Sequence, residues 1–362
     1  MKALRIHVGP AARRLIEQQG LRAEDVRVVP GAAGGPKGLV LGPLDRFIFG
    51  EWLAATTHEV HLVGASIGAW RMATACLADP VRGLERLEHD YIHQHYEPSP
   101  GRKRPTARQV SERFGQSLQD FYGGRIVEVL GHDRWRLHIV TSRGRHMLGR
   151  EHGLATPLGY LGAFVTNTLH RRSMGAWLER VVFSAPGAGG AMAALPFATR
   201  DYRTRQVALQ EDNFNPALQA SCSIPFVLRS VADIPGAPRG AYWDGGITDY
   251  HLHLDYQPAT PGPVLYPHFQ KAVVPGWLDK GLKWRHRATP FLDSMVVIAP
   301  DPDWVRTLPN GKLPDRTDFT RYGNDLAARV DAWSRAVAES ERLADEWREW
   351  LARPDLSRLE PL

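Results

Sequence analysis

Apolar and polar positions divide the first eighty residues into two copies of one unit. The apolar run Asp25-Val-Arg-Val-Val-Pro30 enters the glycine-rich stretch Gly31-Ala-Ala-Gly-Gly-Pro-Lys-Gly38, and a second apolar run follows. This predicts strand, tight loop, helix. Val60-His-Leu-Val63, the turn Gly64-Ala-Ser-Ile-Gly68, and residues 69 to 78 stopped by Asp79-Pro80 predict the same order again. Strands alternating with helices predict an α/β fold with a mostly parallel sheet covered on both faces. From about residue 80 to 180 the pattern loosens into a His-rich helix near 84 to 95, a Pro/Arg linker over 98 to 105 and a strand at 135 to 141. That stretch reads as an inserted, lid-like region. Strand signals return at Val181-Val-Phe183, Gln206-Val-Ala-Leu209 and Met295-Val-Val-Ile298. Between 324 and 352, Leu326, Val330, Trp333, Val337, Leu343, Trp347 and Trp350 recur at helical intervals and predict a helical tail. The expected organisation is a catalytic domain over 1–305, with the insertion around 80–180, and a helical C-terminal extension over 306–362.

Two of the glycine-rich turns carry candidate chemistry. Gly64-Ala-Ser66-Ile-Gly68 fits G-x-S-x-G, in which a serine on a sharp strand-to-helix turn needs small residues at Gly64 and Gly68 to clear its neighbours. The turn exposes the hydroxyl beside a helix N-terminus, where amides and the dipole favour developing negative charge. The loop Ala33-Gly34-Gly35-Pro36-Lys37-Gly38 offers backbone amides unobstructed by side chains, with Gly34 and Gly35 the expected oxyanion donors and Lys37 and Gly38 supporting the loop. A phosphate loop of the form G-x-x-x-x-G-K-[ST] does not fit, because Pro36 precedes the lysine and Gly38 follows it.

These blocks resemble those of the patatin-like phospholipases. That family places a glycine-rich oxyanion loop ending in Lys-Gly or Arg-Gly after its first strand and the serine turn after the next. Ala220-Ser-Cys-Ser-Ile-Pro225 is similar to the family's Ala-Ser block ending in proline, and Asp244-Gly245-Gly246 to its Asp-Gly-Gly motif. The resemblance covers roughly residues 25 to 300. Beyond the last motif Asp249 matches, while the family's asparagine and the proline that shortly follows it are missing from Ile247-Thr-Asp249-Tyr250-His251-Leu252. The resemblance implies a three-layer patatin-like fold and a dyad in which Asp244 deprotonates Ser66 without a histidine. It further implies hydrolysis of a lipid acyl ester, a phospholipid or lysophospholipid, with no cofactor. Gly245 and Gly246 then let the backbone turn and deliver the carboxylate.

Composition narrows the alternatives. At 43% apolar and 23% charged residues, with no apolar stretch of membrane-spanning length, the chain reads as a globular cytoplasmic protein. Cys76 and Cys222 make neither a disulfide framework nor a metal-ligand set. His89 with His93, and His251 with His253, have metal-compatible spacing but lack a third ligand, so no metal is expected. The net charge of +6 is concentrated in residues 101 to 150, which hold eleven Lys or Arg against four acids. That segment suggests peripheral contact with an anionic membrane surface, against the plainer reading of a solvated insertion; nucleic acid is not expected. The aromatic and basic stretch from Trp277 to Arg287 reads as a surface loop or a lipid-interface seat. An α/β-hydrolase triad would need a late histidine such as His268 or His286, and neither follows a strand convincingly. The remaining alternatives are a simple carboxylesterase or intracellular polyester depolymerase, or a catalytically silent lipid-binding protein on the same fold.

Overall fold

The computed structural model describes residues 1–97, 101–102, 105–256, 259 and 261–362; most of the expected linker over 98–105 therefore lies outside the described residues. The chain enters as β1 (Leu4–Val8), passes through α1 (Pro10–Gln19) and reaches β2 (Val28–Gly31). The helix expected after Gly38 is broken into a 3-10 segment over Gly35–Leu41, α2 (Gly42–Phe47) and a π-helical turn over Ile48–Trp52. Pro43 has no N–H to donate to the preceding turn, so the helix restarts there. β3 (Val60–Ala65) and α3 (Ile67–Ala75) complete the second unit. Next come α4 (Pro80–His93), α5 (Ala107–Tyr122), α6 (Ile126–Leu130), β4 (Trp135–Gly144) and α7 (Ala155–Leu169). β5 (Leu178–Ser184), β6 (Thr204–Ala208) and α8 (Glu211–Ser221) lead to the hairpin of β7 (Val231–Ala232) and β8 (Ala241–Asp244), then α9 (Gly246–Asp249). β9 (Val264–Pro267), β10 (Met295–Pro300), α10 (Pro302–Val305), α11 (Thr317–Tyr322), α12 (Leu326–Ala352) and β11 (Leu359–Pro361) finish the chain.

The result is an α/β fold whose mostly parallel sheet has the order β11-β1-β10-β9-β2-β3-β4-β5-β6 and is flanked by helices. The block β10-β9-β2-β3-β4 is parallel throughout, which suits a sheet buried on both faces. Within the stretch 80–180, expected as an insertion, the strand expected at 135 to 141 is β4, in the middle of this sheet. Its strand signal is weak because polar residues sit inside. His138 is fully buried, 2.8 Å from the Ser184 hydroxyl on one side and 3.0 Å from the His61 ring on the other. Burial holds the His138 ring far below the usual histidine range, so it serves as a neutral hydrogen-bonding group.

Two registers fix the functional end of the sheet. Gly31 lies opposite Gly64, so the loops after β2 and β3 leave side by side at the carboxyl ends of neighbouring strands, where open α/β sheets hold ligands. Along β4, Val140 faces Ala65 of β3 and the next residue, Thr141, faces Asp244 of β8. β3 and β8 therefore meet tip to tip on one edge of β4. Beneath them α3 is buried along its whole length, and its Arg71 makes a two-pronged ion pair with Asp45 at 2.6 and 2.7 Å inside the core.

Candidate active site

Ser66 occupies the single residue between β3 and α3, with φ 57° and ψ −131°, a conformation that non-glycine residues rarely adopt. The neighbourhood holds it there. The Ser66 N–H donates to the Ser221 hydroxyl at 3.0 Å, and that hydroxyl donates to the Val140 carbonyl at 2.7 Å. Gly68 allows the close approach this needs, since a Cβ on it would strike the Gly31 carbonyl; Cβ atoms at Gly64 and Gly245 would likewise strike the Ala69 backbone and the Val140 carbonyl.

The tip-to-tip strands bring Asp244 to the serine. The Ser66 hydroxyl donates to Asp244 Oδ2 at 2.7 Å, while Oδ1 accepts the Gly246 N–H at 2.7 Å. The block after α8 braces both partners, because Asp244 N–H donates to the Ser223 carbonyl at 2.9 Å and Gly245 N–H to the Ser221 carbonyl at 3.1 Å. Ser66 and Asp244 are 4% and 6% exposed. Burial raises the Asp244 carboxyl to about 6, against the Ser66 hydroxyl, the Arg316 charge and the Gly246 amide, which all favour the ionised form. Such a carboxylate is ionised at neutral pH and basic enough to accept a hydroxyl proton.

The glycine-rich loop faces this pair. Ala33 spends its amide on the Tyr250 carbonyl at 3.0 Å, whereas the Gly34 and Gly35 amides have no acceptor among the described residues. Gly35 has φ 58°, and Gly34 abuts the Phe269 ring so closely that a Cβ would collide with it. Gly38 packs beside Ile67 at the start of α3, and the Lys37 ammonium lies 5.3 Å from the centre of the Phe269 ring.

Two cavities open on Ser66. One, of about 650 Å³, is walled by apolar groups including Trp70, Tyr91, Val110, Phe114, Ile224 and Leu326. The other is a cleft of about 210 Å³ bounded by Lys37, Tyr250, Trp277, Lys280 and Arg316. Arg316 borders both, and sequence reasoning missed it because it lies in the segment read as a tail. No local signal marks it. Lys37, Lys280 and Arg316 have no ion-pair partner among the described residues; of the two acids that line the cleft, Asp244 accepts the Ser66 hydroxyl, and Asp315 is held by Lys312 at 2.9 Å and the Thr317 hydroxyl at 2.5 Å.

The histidines lie elsewhere. His268 is buried and bonded to the Gln270 carbonyl, with desolvation lowering it to about 3, and His286 contacts the Asp279 carbonyl at 2.9 Å. His251 and His253 lie in an irregular stretch after α9, against the Ala272 and Val273 carbonyls at 3.1 and 2.8 Å. His89 and His93 stack on α4 at 4.1 Å. Among the described residues no three His, Cys, Asp or Glu side chains gather as metal ligands. Asp249 is pinned by Arg180 at 2.6 and 2.7 Å, which fixes α9 behind the Asp244 turn. Comparison with models of known protein families gives no match, and neither does comparison with curated proteins.

Proposed function

We propose that the protein is a patatin-like serine acyl hydrolase that cleaves carboxylic esters of lipids. The observation that carries this reading is the 2.7 Å hydrogen bond from a buried, conformationally strained Ser66 hydroxyl to a carboxylate whose pKa burial has raised to about 6. In the proposed reaction Asp244 takes the Ser66 proton as Oγ attacks the ester carbonyl, and the Gly34 and Gly35 amides bind the resulting oxyanion. The protonated Asp244 then gives its proton to the departing alcohol. A water molecule, deprotonated by Asp244, attacks the acyl-serine, and the returning proton restores Ser66 as the fatty acid leaves.

The two cavities support a lipid substrate. An acyl chain fits the 650 Å³ cavity along its apolar wall, and Lys37, Lys280 and Arg316 of the smaller cleft, without an ion-pair partner among the described residues, suit an anionic headgroup on the alcohol side. This favours a phospholipid or lysophospholipid over a neutral ester. The same reading puts the protein at anionic lipid surfaces; among the described residues no helix is long and apolar enough to cross a membrane.

A fluorophosphonate probe, which reacts only with an activated serine, tests the reading. The wild-type protein and His286→Ala are expected to label and to hydrolyse p-nitrophenyl esters, whereas Ser66→Ala and Asp244→Asn do neither. A folded wild-type protein that resists the probe would leave the fold as a silent lipid-binding scaffold.

A further inference from the structure

The helix α7 presents to solvent what a globular protein normally buries. Leu154, Leu158, Leu161 and Val165 recur at helical spacing and are 77%, 57%, 59% and 50% exposed; Phe164 and Leu169 extend the face. The helix contains no charged residue from its first position to its last. Scattered single apolar residues are ordinary on a surface, but a contiguous helical face of this kind marks a contact.

Its position gives the contact a direction. Tyr160, on the inner side of the same helix, packs its ring 5.9 Å from that of Phe226, and Phe226 and Val227 line the mouth of the apolar cavity while remaining 62% and 50% exposed. Phe226 has φ 68°, so the fold spends backbone strain to present an aromatic side chain at this lip. Phe226 thus joins the inner side of α7 to the mouth of the cavity that reaches Ser66, which opens beside the helix. At the other end of the helix, Arg285 bonds the Thr168 carbonyl at 3.1 Å and so places its neighbours Lys283, Trp284 and Arg287, all exposed, beside the terminus of α7. Arg172, just beyond the helix, is exposed and bonded only to backbone carbonyls.

We propose that α7 is an interfacial helix: its leucine and valine face inserts into the outer part of an anionic lipid layer, with Phe226 and Val227 at the same surface, so that lipid passes from the layer into the cavity without crossing water. A helix with one apolar face, flanked at its C-terminal end by basic residues and an exposed tryptophan, has the chemistry of such a contact. The direction of lipid entry rests on the hydrolase reading; the docking itself does not.

Sedimentation with phosphatidylcholine vesicles, with and without phosphatidylglycerol, tests the proposal on the full chain. The wild-type protein is expected to co-sediment, more strongly with the anionic vesicles and less so at high salt. Leu158→Gln, Leu161→Gln and Val165→Gln combined should lower partitioning by roughly tenfold or more without lowering the melting temperature, since these side chains are already exposed. Failure of the wild type to bind either vesicle, or wild-type binding by the folded triple variant, overturns the proposal. So does a wild-type dimer that the triple variant converts to monomer, which would give the face to a second copy. Vesicle binding by a protein that resists the fluorophosphonate probe would refute the hydrolase reading alone.

Discussion

Asp244 is the group whose protonation gates the proposed chemistry. Below about pH 6 its carboxyl carries a proton and cannot accept that of Ser66, so kcat/KM on a soluble ester should rise with pH through an apparent pKa near 6. Stability moves the other way. The folded carboxyl titrates near 6 and the unfolded one near 3.8, so the folded state binds more protons between these values and loses stability as pH rises through the window. By linkage the cost at neutral pH is about 3 kcal/mol, so Asp244→Asn, though inactive, should melt above the wild type at about pH 7, with the gap closing towards pH 4. A gap independent of pH would refute the raised pKa. The neighbouring loop gives a second residue-scale expectation. Gly35 is left-handed and a Cβ there would lie 3.3 Å from Arg316 Nε, so Gly35→Val displaces the amides of the proposed oxyanion site. Loss of one such donor lowers turnover by about 100 to 1000-fold; near-normal rates in the folded variant would place the oxyanion site elsewhere.

Among elements, the segment ending α8 does the positioning. The Ser221 hydroxyl joins the Ser66 N–H to the Val140 carbonyl, and its removal strands two buried backbone groups. Ser221→Ala should therefore destabilise the fold by about 1–3 kcal/mol and slow both kcat and fluorophosphonate labelling more than it changes KM. An unaltered labelling rate in the folded variant would reduce Ser221 to a packing residue. The two β-loop-α units were legible in the sequence because glycines at Gly31, Gly64 and Gly68 and the apolar runs beside them are local signals. Strands β1, β8, β9 and β11 were not, being at most five residues long and defined by partners far along the chain. Asp244 itself was legible only through the resemblance of Asp-Gly-Gly to a known motif; nothing in its local pattern says that β8 continues the line of β3.

Over the whole molecule, the C-terminal segment shapes the site more than its sequence indicates. α12 packs on α2, Trp333, Trp347 and Trp350 are buried, and β11 pairs with β1 at the sheet edge. The same segment brings Arg316 to both cavities and Phe319 to the larger one. The amphipathic spacing predicted α12 well, but residues 306 to 325 have no regular period and their place at the cavities is set by long-range packing. Conversely, much of the positive charge in residues 101 to 150 is engaged within the fold, as in Arg125 with Glu128, Arg136 with Glu59 and Arg143 with Glu179. If Arg316 holds an anionic headgroup, kcat/KM should favour lysophosphatidic acid over the monoacylglycerol of the same chain, and Arg316→Gln should shrink that ratio by about tenfold or more. Any effect of Arg316 on Asp244 is common to both substrates and cancels in the ratio. A ratio that stays constant would assign the headgroup to other residues.

The meeting of β3 and β8 has a consequence for biosynthesis. Ser66 and Asp244 are 178 residues apart and touch only when both strands lie against β4. A nascent chain that has already folded its first two units carries an unactivated serine, and so does a misfolded chain or a proteolytic fragment that ends before residue 244. In the proposed reading, an enzyme able to damage the cell's own membranes is thus switched on by the completion of its own sheet, and only intact molecules are dangerous.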